Sequence, residues 1–210
     1  MAAPGAPAGR FISFEGIDGS GKSTQARRLV AALREAGHEV THTREPGGAP
    51  GAEVIRELVL TGAQDRWSPE TEILLFTAAR RDHLERTIRP ALAEGKLVIC
   101  DRFADSTRVY QGLTRGDLTA KVDALHELMI GMEPDMTILL DADPATSLAR
   151  GIQRGGELRF EGFGLEMQER ARAGFLSLAA AAPERFRVID AGRSEDEVAG
   201  DILDAAQAVL

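Results

Sequence analysis

The chain switches repeatedly between two spacings of apolar residues. Short apolar runs of strand length occupy residues 11–15, 96–100, 136–140 and 187–190, and residues 38–43 alternate polar with β-branched side chains. Between them, apolar residues recur three and four apart over 25–36, 53–60, a long run from 73 past 84 towards 93, 123–131, 145 onward, 166–182 and 195–209. Gly37 follows the first of these runs as a helix stop, and Ser68-Pro69-Glu70 opens the long one with a capping serine and a first-turn proline. The Met and Leu residues of 123–131 are expected in the core. Strand alternating with helix five times predicts an α/β fold, a parallel sheet with helices on both faces.

Composition narrows the class. Of 210 residues, 43% are hydrophobic and 28% charged, as in an ordinary soluble globular protein. Cys100 is the only cysteine, which rules out an internal disulfide, and its apolar neighbours predict a buried thiol. No apolar run approaches membrane-spanning length, and residues 1–9 lack the charged start and apolar core of a signal peptide. They read as a short disordered tail before a single domain over 10–210, placed in the cytoplasm with no membrane contact. A net charge of −8 argues against general nucleic-acid binding, although local basic clusters can still hold anions.

The chemistry concentrates after the first strand, at Gly16-Ile17-Asp18-Gly19-Ser20-Gly21-Lys22-Ser23-Thr24. This is G-x-x-x-x-G-K-S between a strand and a helix, the phosphate-binding loop in its required context. Glycines let successive N–H groups converge on an anion, and the helix that follows adds its positive end. Lys22 is placed to reach the β- and γ-phosphates of ATP, and Ser23 to ligate Mg²⁺. Further along, Arg44-Glu45-Pro46-Gly47-Gly48 ends the second strand as a turn at the sheet's ligand-binding edge, or as a plain solvated connection. Phe76 and Arg80 share a helix face; on spacing alone, Phe76 reads as core and Arg80 as solvated. Asp101-Arg102 closes the third strand, offering a carboxylate to Mg²⁺ and a fork to a second phosphate, or an ion pair with each other. Ser106, Thr107, Tyr110 and Gln111 follow within two helical turns. Arg150, Arg154 and Arg159 stand among glycines in a basic segment suited to closing over a triphosphate, or to solvation. No N-K-x-D string is present, which argues against a small GTPase, and 210 residues leave no room for motor partner domains. A small-molecule kinase with an anionic acceptor remains; an ATP-binding regulatory protein is the alternative from another class.

Taken together, the loop, Thr43 to Gly48, Leu75-Phe76-Thr77-Ala78-Ala79-Arg80, Asp101-Arg102-Phe103 with Ser106 and Tyr110-Gln111-Gly112, and the arginine-rich stretch resemble bacterial thymidylate kinases from Arg10 to about Asp190. The resemblance implies a three-layer P-loop nucleoside triphosphate hydrolase fold with sheet order 2-3-1-4-5, an Arg-rich lid near 150–162, and a homodimer. It implies transfer of the ATP γ-phosphoryl group to dTMP. It places thymine on Phe76 and against Arg80, the dTMP phosphate on Arg102, and Asp18 and Asp101 near metal and acceptor. Arg44, Glu45 and Pro46 would line that pocket, Thr107 and Gln111 would face base and sugar, and Tyr110 would help reject a 2′-hydroxyl. Gly19, where some relatives carry arginine, goes with catalytic arginines in the lid. Three departures stand out: Phe103 where Tyr or His is common, Leu158 where a polar residue is usual, and Met167 with Phe175, which read as packing changes.

Overall fold

A computed structural model describes residues 9–63, 65–153 and 164–210, without the side chains of 151–153. The strands are β1 (Arg10–Glu15), β2 (Val40–Arg44), β3 (Leu97–Asp101), β4 (Met136–Asp141) and β5 (Phe186–Asp190). They form one parallel sheet in the order β2-β3-β1-β4-β5, as the resemblance implied. The helices are α1 (Lys22–Glu35), α2 (Pro50–Leu60), α3 (Pro69–His83), α4 (Arg89–Ala93), α5 (Ala104–Thr107), α6 (Thr119–Met129), α7 (Pro144–Gln153), α8 (Gly164–Ala181) and α9 (Glu195–Gln207). A π-helical turn over Leu84–Ile88 joins α3 to α4, and a second over Arg108–Leu113 continues α5.

Side chains on a strand alternate between faces, so each buried strand feeds two cores. Ile12 and Phe14 of β1 pack with Ile99, Ile138 and Leu140 under Leu29, Leu33, Val198 and Ile202 of α1 and α9. Phe11, Val98 and Cys100 face the other way, against Leu84, Ile88 and Phe103. Cys100 is buried as expected, and burial pushes its thiol well above the usual range, which keeps it unreactive. Phe175 packs beside Tyr110 with ring centroids 6.0 Å apart, so its departure from the family pattern is a packing change.

The helix starts follow the local chemistry. Ser68 Oγ accepts from Thr71 N at 3.2 Å, and Ser194 with Glu197 forms a capping box. On α6 the expectation of a Met and Leu core fails. Leu128 is 77% and Met129 40% exposed, because Val122 and His126, four apart, form the buried face.

Register brings charge to one edge. Arg44 and Phe14 both sit beside Asp101, and Asp141 beside Asp190, so the strands deliver Glu15, Arg44, Asp101, Asp141 and Asp190 to the same carboxyl end. Chain order reverses around β1, which lies between β3 and β4. That switch point is where open α/β sheets bind ligands.

Candidate active site

The loop after β1 curls through positive-φ glycines at 16, 19 and 21, and α1 begins directly at Lys22. Gly19 has a second reason to lack a side chain: a Cβ there would stand 2.0 Å from the Ser147 carbonyl oxygen of α7. Lys22 Nζ donates to the Ile17 carbonyl at 2.7 Å. Burial, then repulsion from Arg102, pulls the ammonium down to about 8 against the pull of Asp18, Asp101 and Glu15. Ser23 Oγ donates to Asp101 Oδ2, so hydroxyl and carboxylate meet across two strand ends.

Arg102 is the one non-glycine residue with positive φ (73°) among those described, a left-handed backbone that costs roughly 1–2 kcal/mol for an L-residue. Its guanidinium donates to Gly16 O at 3.2 Å, Ser106 Oγ at 2.9 Å and Asp18 Oδ1 at 2.5 Å. It lies 5.3 Å from the Tyr110 ring centroid. Asp101 and Arg102 therefore take separate partners, Ser23 and Asp18. Burial opposes ionisation of Asp18, but Arg102 and Lys22 outweigh it and hold the carboxyl below its usual range. Behind Arg102, fully buried Glu15 accepts from Phe103 N at 2.8 Å, Ser106 N at 3.1 Å and Ser106 Oγ at 2.6 Å. Burial, reinforced by Asp105, pushes the Glu15 carboxyl up to about 7 despite the nearby Arg102.

A third group lies between α3 and the turn after β2. Arg80, only 4% exposed, donates from Nε to Glu45 Oε2 at 2.7 Å. Its Nη2 donates to Phe103 O at 3.1 Å and Thr107 Oγ1 at 3.0 Å. Half-buried Phe76 stands one turn away. Arg80 buried and Phe76 open to the cavity is the reverse of what spacing alone suggested. Amphipathic counting ranks arginine as solvent-seeking and cannot foresee a buried carboxylate to receive it.

The three groups share a cavity of about 340 Å³. Asp18, Gly19, Gly21, Lys22 and Ser23 line one part; Asp101, Arg102, Ser106, Thr107, Tyr110 and Gln111 line the middle; Arg44, Glu45, Pro46, Phe76 and Arg80 line the rest. Gly16, Ile17, Ser20 and Thr24 lie outside the lining, although Gly16 and Ile17 lend it their carbonyls. Arg150 is exposed on α7 and does not line the cavity. Arg154 and Arg159, most of the expected lid and the expected tail (1–8) lie outside the described residues.

Sequence reasoning missed Arg56, Leu60 and Phe103 in the lining and Glu15 behind it. Arg56 reaches in from α2, donating to Pro46 O at 2.7 Å, and burial with nearby Arg44 lowers its pKa. Glu15 had a readable signal, a carboxylate ending an otherwise apolar strand; Arg56 had none, being one charge on an amphipathic helix.

A phosphate-binding loop at the switch point, with a second cluster of arginines across one cavity, defines a P-loop phosphotransferase acting on a small anionic acceptor. The family model "Thymidylate kinase" matches residues 14–202. The thymidylate kinase of Ruegeria pomeroyi is 68% identical over 197 residues, 93% of either chain. That of Dinoroseobacter shibae is 67% identical over 196 residues, covering 93% of this chain and 95% of its own. The crystal structure of thymidylate kinase from Ehrlichia chaffeensis aligns with a TM-score of 0.79 at 35% identity, over 96% of this chain and all of the other. The chain belongs to the thymidylate kinase family.

Proposed function

We propose that the cavity is where this chain carries out the reaction of its family, ATP-dependent phosphorylation of dTMP to dTDP, and that its residues divide the work as follows. The loop from Gly16 to Thr24 cradles the ATP phosphates, with Lys22 neutralising charge on the transferred group. Arg102 holds the dTMP phosphate, with Asp18 and Ser106 fixing the guanidinium. Phe76 stacks on thymine. Arg80 reads the base edge with Nη1, whose two N–H groups have no protein partner among the described residues. Arg44, Glu45, Pro46, Thr107, Tyr110 and Gln111 shape the acceptor pocket, and burial beside Asp18 pushes the Tyr110 phenol up, keeping it protonated.

The Ser23 hydroxyl and Asp101 carboxylate, brought together at the cavity wall, are hard oxygen donors that fit Mg²⁺. When bound there, the ion would neutralise phosphate charge. Arg150, Arg154 and Arg159 belong to the lid over about 150–162; the tight Gly19–Ser147 contact, which leaves the loop no room for an arginine, supports that assignment. The second pKa of dTMP is about 6, as for other phosphomonoesters, so the nucleophile is a dianion and no general base is assigned. Transfer is in line, through positioning and charge neutralisation.

The chain works as a single domain over 10–210 in the cytoplasm, as a homodimer without nucleic acid. Exposed Val54, Leu58 and Leu74 on the packed pair α2 and α3 support a protein interface. Among the described residues no helix is long and apolar enough to cross a membrane.

The observation that carries this reading is one cavity joining Lys22, Arg102 and Arg80. Its test is coupled-assay ADP release with Mg-ATP and dTMP, dUMP, UMP, dCMP, dAMP or dGMP. Activity greatest with dTMP is expected. Preference for another monophosphate would discard the Phe76–Arg80 assignment, and ATP binding without acceptor-dependent release would favour a regulatory ATP-binding protein.

A further inference from the structure

His83 is fully buried on the same face of α3 as Arg80, three residues on, and does not line the cavity. Its Nδ1 lies 3.0 Å from Glu45 Oε1, and its Nε2 lies 2.7 Å from Thr43 Oγ1. Facing a carboxylate, Nδ1 must carry a proton and donate; an unprotonated Nδ1 would set lone pair against lone pair. Glu45 is thus gripped on both oxygens, by His83 on Oε1 and by Arg80 Nε on Oε2. Arg80 spends Nε and both Nη2 hydrogens on fixed partners, so the direction of Nη1 is set by where Glu45 sits. Gly48 makes room for the arrangement, since a Cβ there would lie 2.4 Å from Thr43 Oγ1 and 2.5 Å from His83 Nε2.

We propose that His83 is a positioning residue for the acceptor base: by holding Glu45 from behind, with Thr43 steadying the imidazole, it aims the free edge of Arg80 into the pocket. This rests on the reading that Arg80 meets the base of dTMP. The relay touches neither Lys22 nor Arg102, so its loss acts on acceptor binding and selectivity and spares the ATP end.

The test compares His83→Phe, which keeps a ring but removes the donor, with His83→Asn, whose amide nitrogen can take the place of Nδ1. Thr43→Val and Arg80→Met run alongside. For His83→Phe, KM for dTMP rises about tenfold, as for a small misplacement of a binding group, with a smaller preference for dTMP over dCMP. Its kcat and its KM for ATP stay within about twofold. His83→Asn recovers most of the loss, and Thr43→Val shows the same change more weakly. A His83→Phe enzyme with unchanged KM for dTMP, or with kcat and both KM values degraded together, overturns the proposal. If His83→Phe does not fold, an unchanged KM for dTMP in Thr43→Val does so. If Arg80→Met leaves KM for dTMP unmoved, the base-reading role of Arg80 fails and the His83 proposal falls with it; if only the His83 and Thr43 variants are silent, the proposal fails alone.

Discussion

Arg102→Lys keeps a positive charge at the centre of the site and removes the fork. The arginine makes three hydrogen bonds from two nitrogens, to Gly16 O and Ser106 Oγ from Nη1 and to Asp18 Oδ1 from Nη2. A single ammonium nitrogen cannot occupy both positions, so one or two of these bonds are lost, along with in-plane recognition of a phosphate. Hydrogen bonds to charged groups contribute about 1.5–3 kcal/mol each, and the losses are not additive, so about 2–4 kcal/mol of transition-state stabilisation should disappear. At 1.36 kcal/mol per decade, kcat/KM for dTMP falls roughly 30- to 1000-fold. The assay is ADP release with dTMP varied at saturating Mg-ATP, then the reverse, beside a thermal melt. KM for ATP should move far less than kcat/KM for dTMP, because Lys22 and the loop glycines are untouched. A folded Arg102→Lys enzyme within about threefold of the parent in kcat/KM for dTMP would refute the claim that the fork holds the acceptor.

Three further outcomes follow from the same geometry. Phe76→Ala should raise KM for dTMP roughly 5- to 150-fold, since stacking of a base on an aromatic ring is worth about 1–3 kcal/mol, and leave KM for ATP alone; equal effects on both substrates would remove Phe76 from the acceptor pocket. Gly19→Ala forces an L-residue to φ 82° and drives a Cβ to 2.0 Å from Ser147 O, so α7 must move; a lower melting temperature and a raised KM for ATP are expected, and a variant matching the parent in both would show that α7 does not bear on the loop. For Glu15, raised by burial from 4.5 to about 7, the folded state keeps a proton that the unfolded chain releases, so its contribution to stability is present below about 4.5 and lost as pH rises through 7. The stability of the parent relative to Glu15→Gln, from urea midpoints between pH 5 and 8, should therefore fall with pH, and a flat or rising difference would contradict that burial.

What was legible in the chain is what local physics dictates. The loop was readable because the turn needs those glycines, that lysine and that serine in order, and the strands because fully buried parallel strands read as unbroken apolar runs such as Leu97-Val98-Ile99-Cys100. The error at Leu128 and Met129 arose where apolar residues surround a helix and period alone cannot choose the buried face. Partnerships were not legible. Arg80 is 35 residues from Glu45, and Arg102 is 84 from Asp18; only the closing of the sheet around β1 makes them neighbours. Until that closure, a lone arginine on a helix face belongs in water, and counting says so correctly. The residues the pattern misplaced are therefore the ones whose burial needs a distant partner, as with Arg80 and Glu45. Such a pair adds little net stability over apolar replacements of the same volume. Its presence on the cavity wall is accounted for by what it holds in place, a planar donor edge that an apolar wall would not offer to a base.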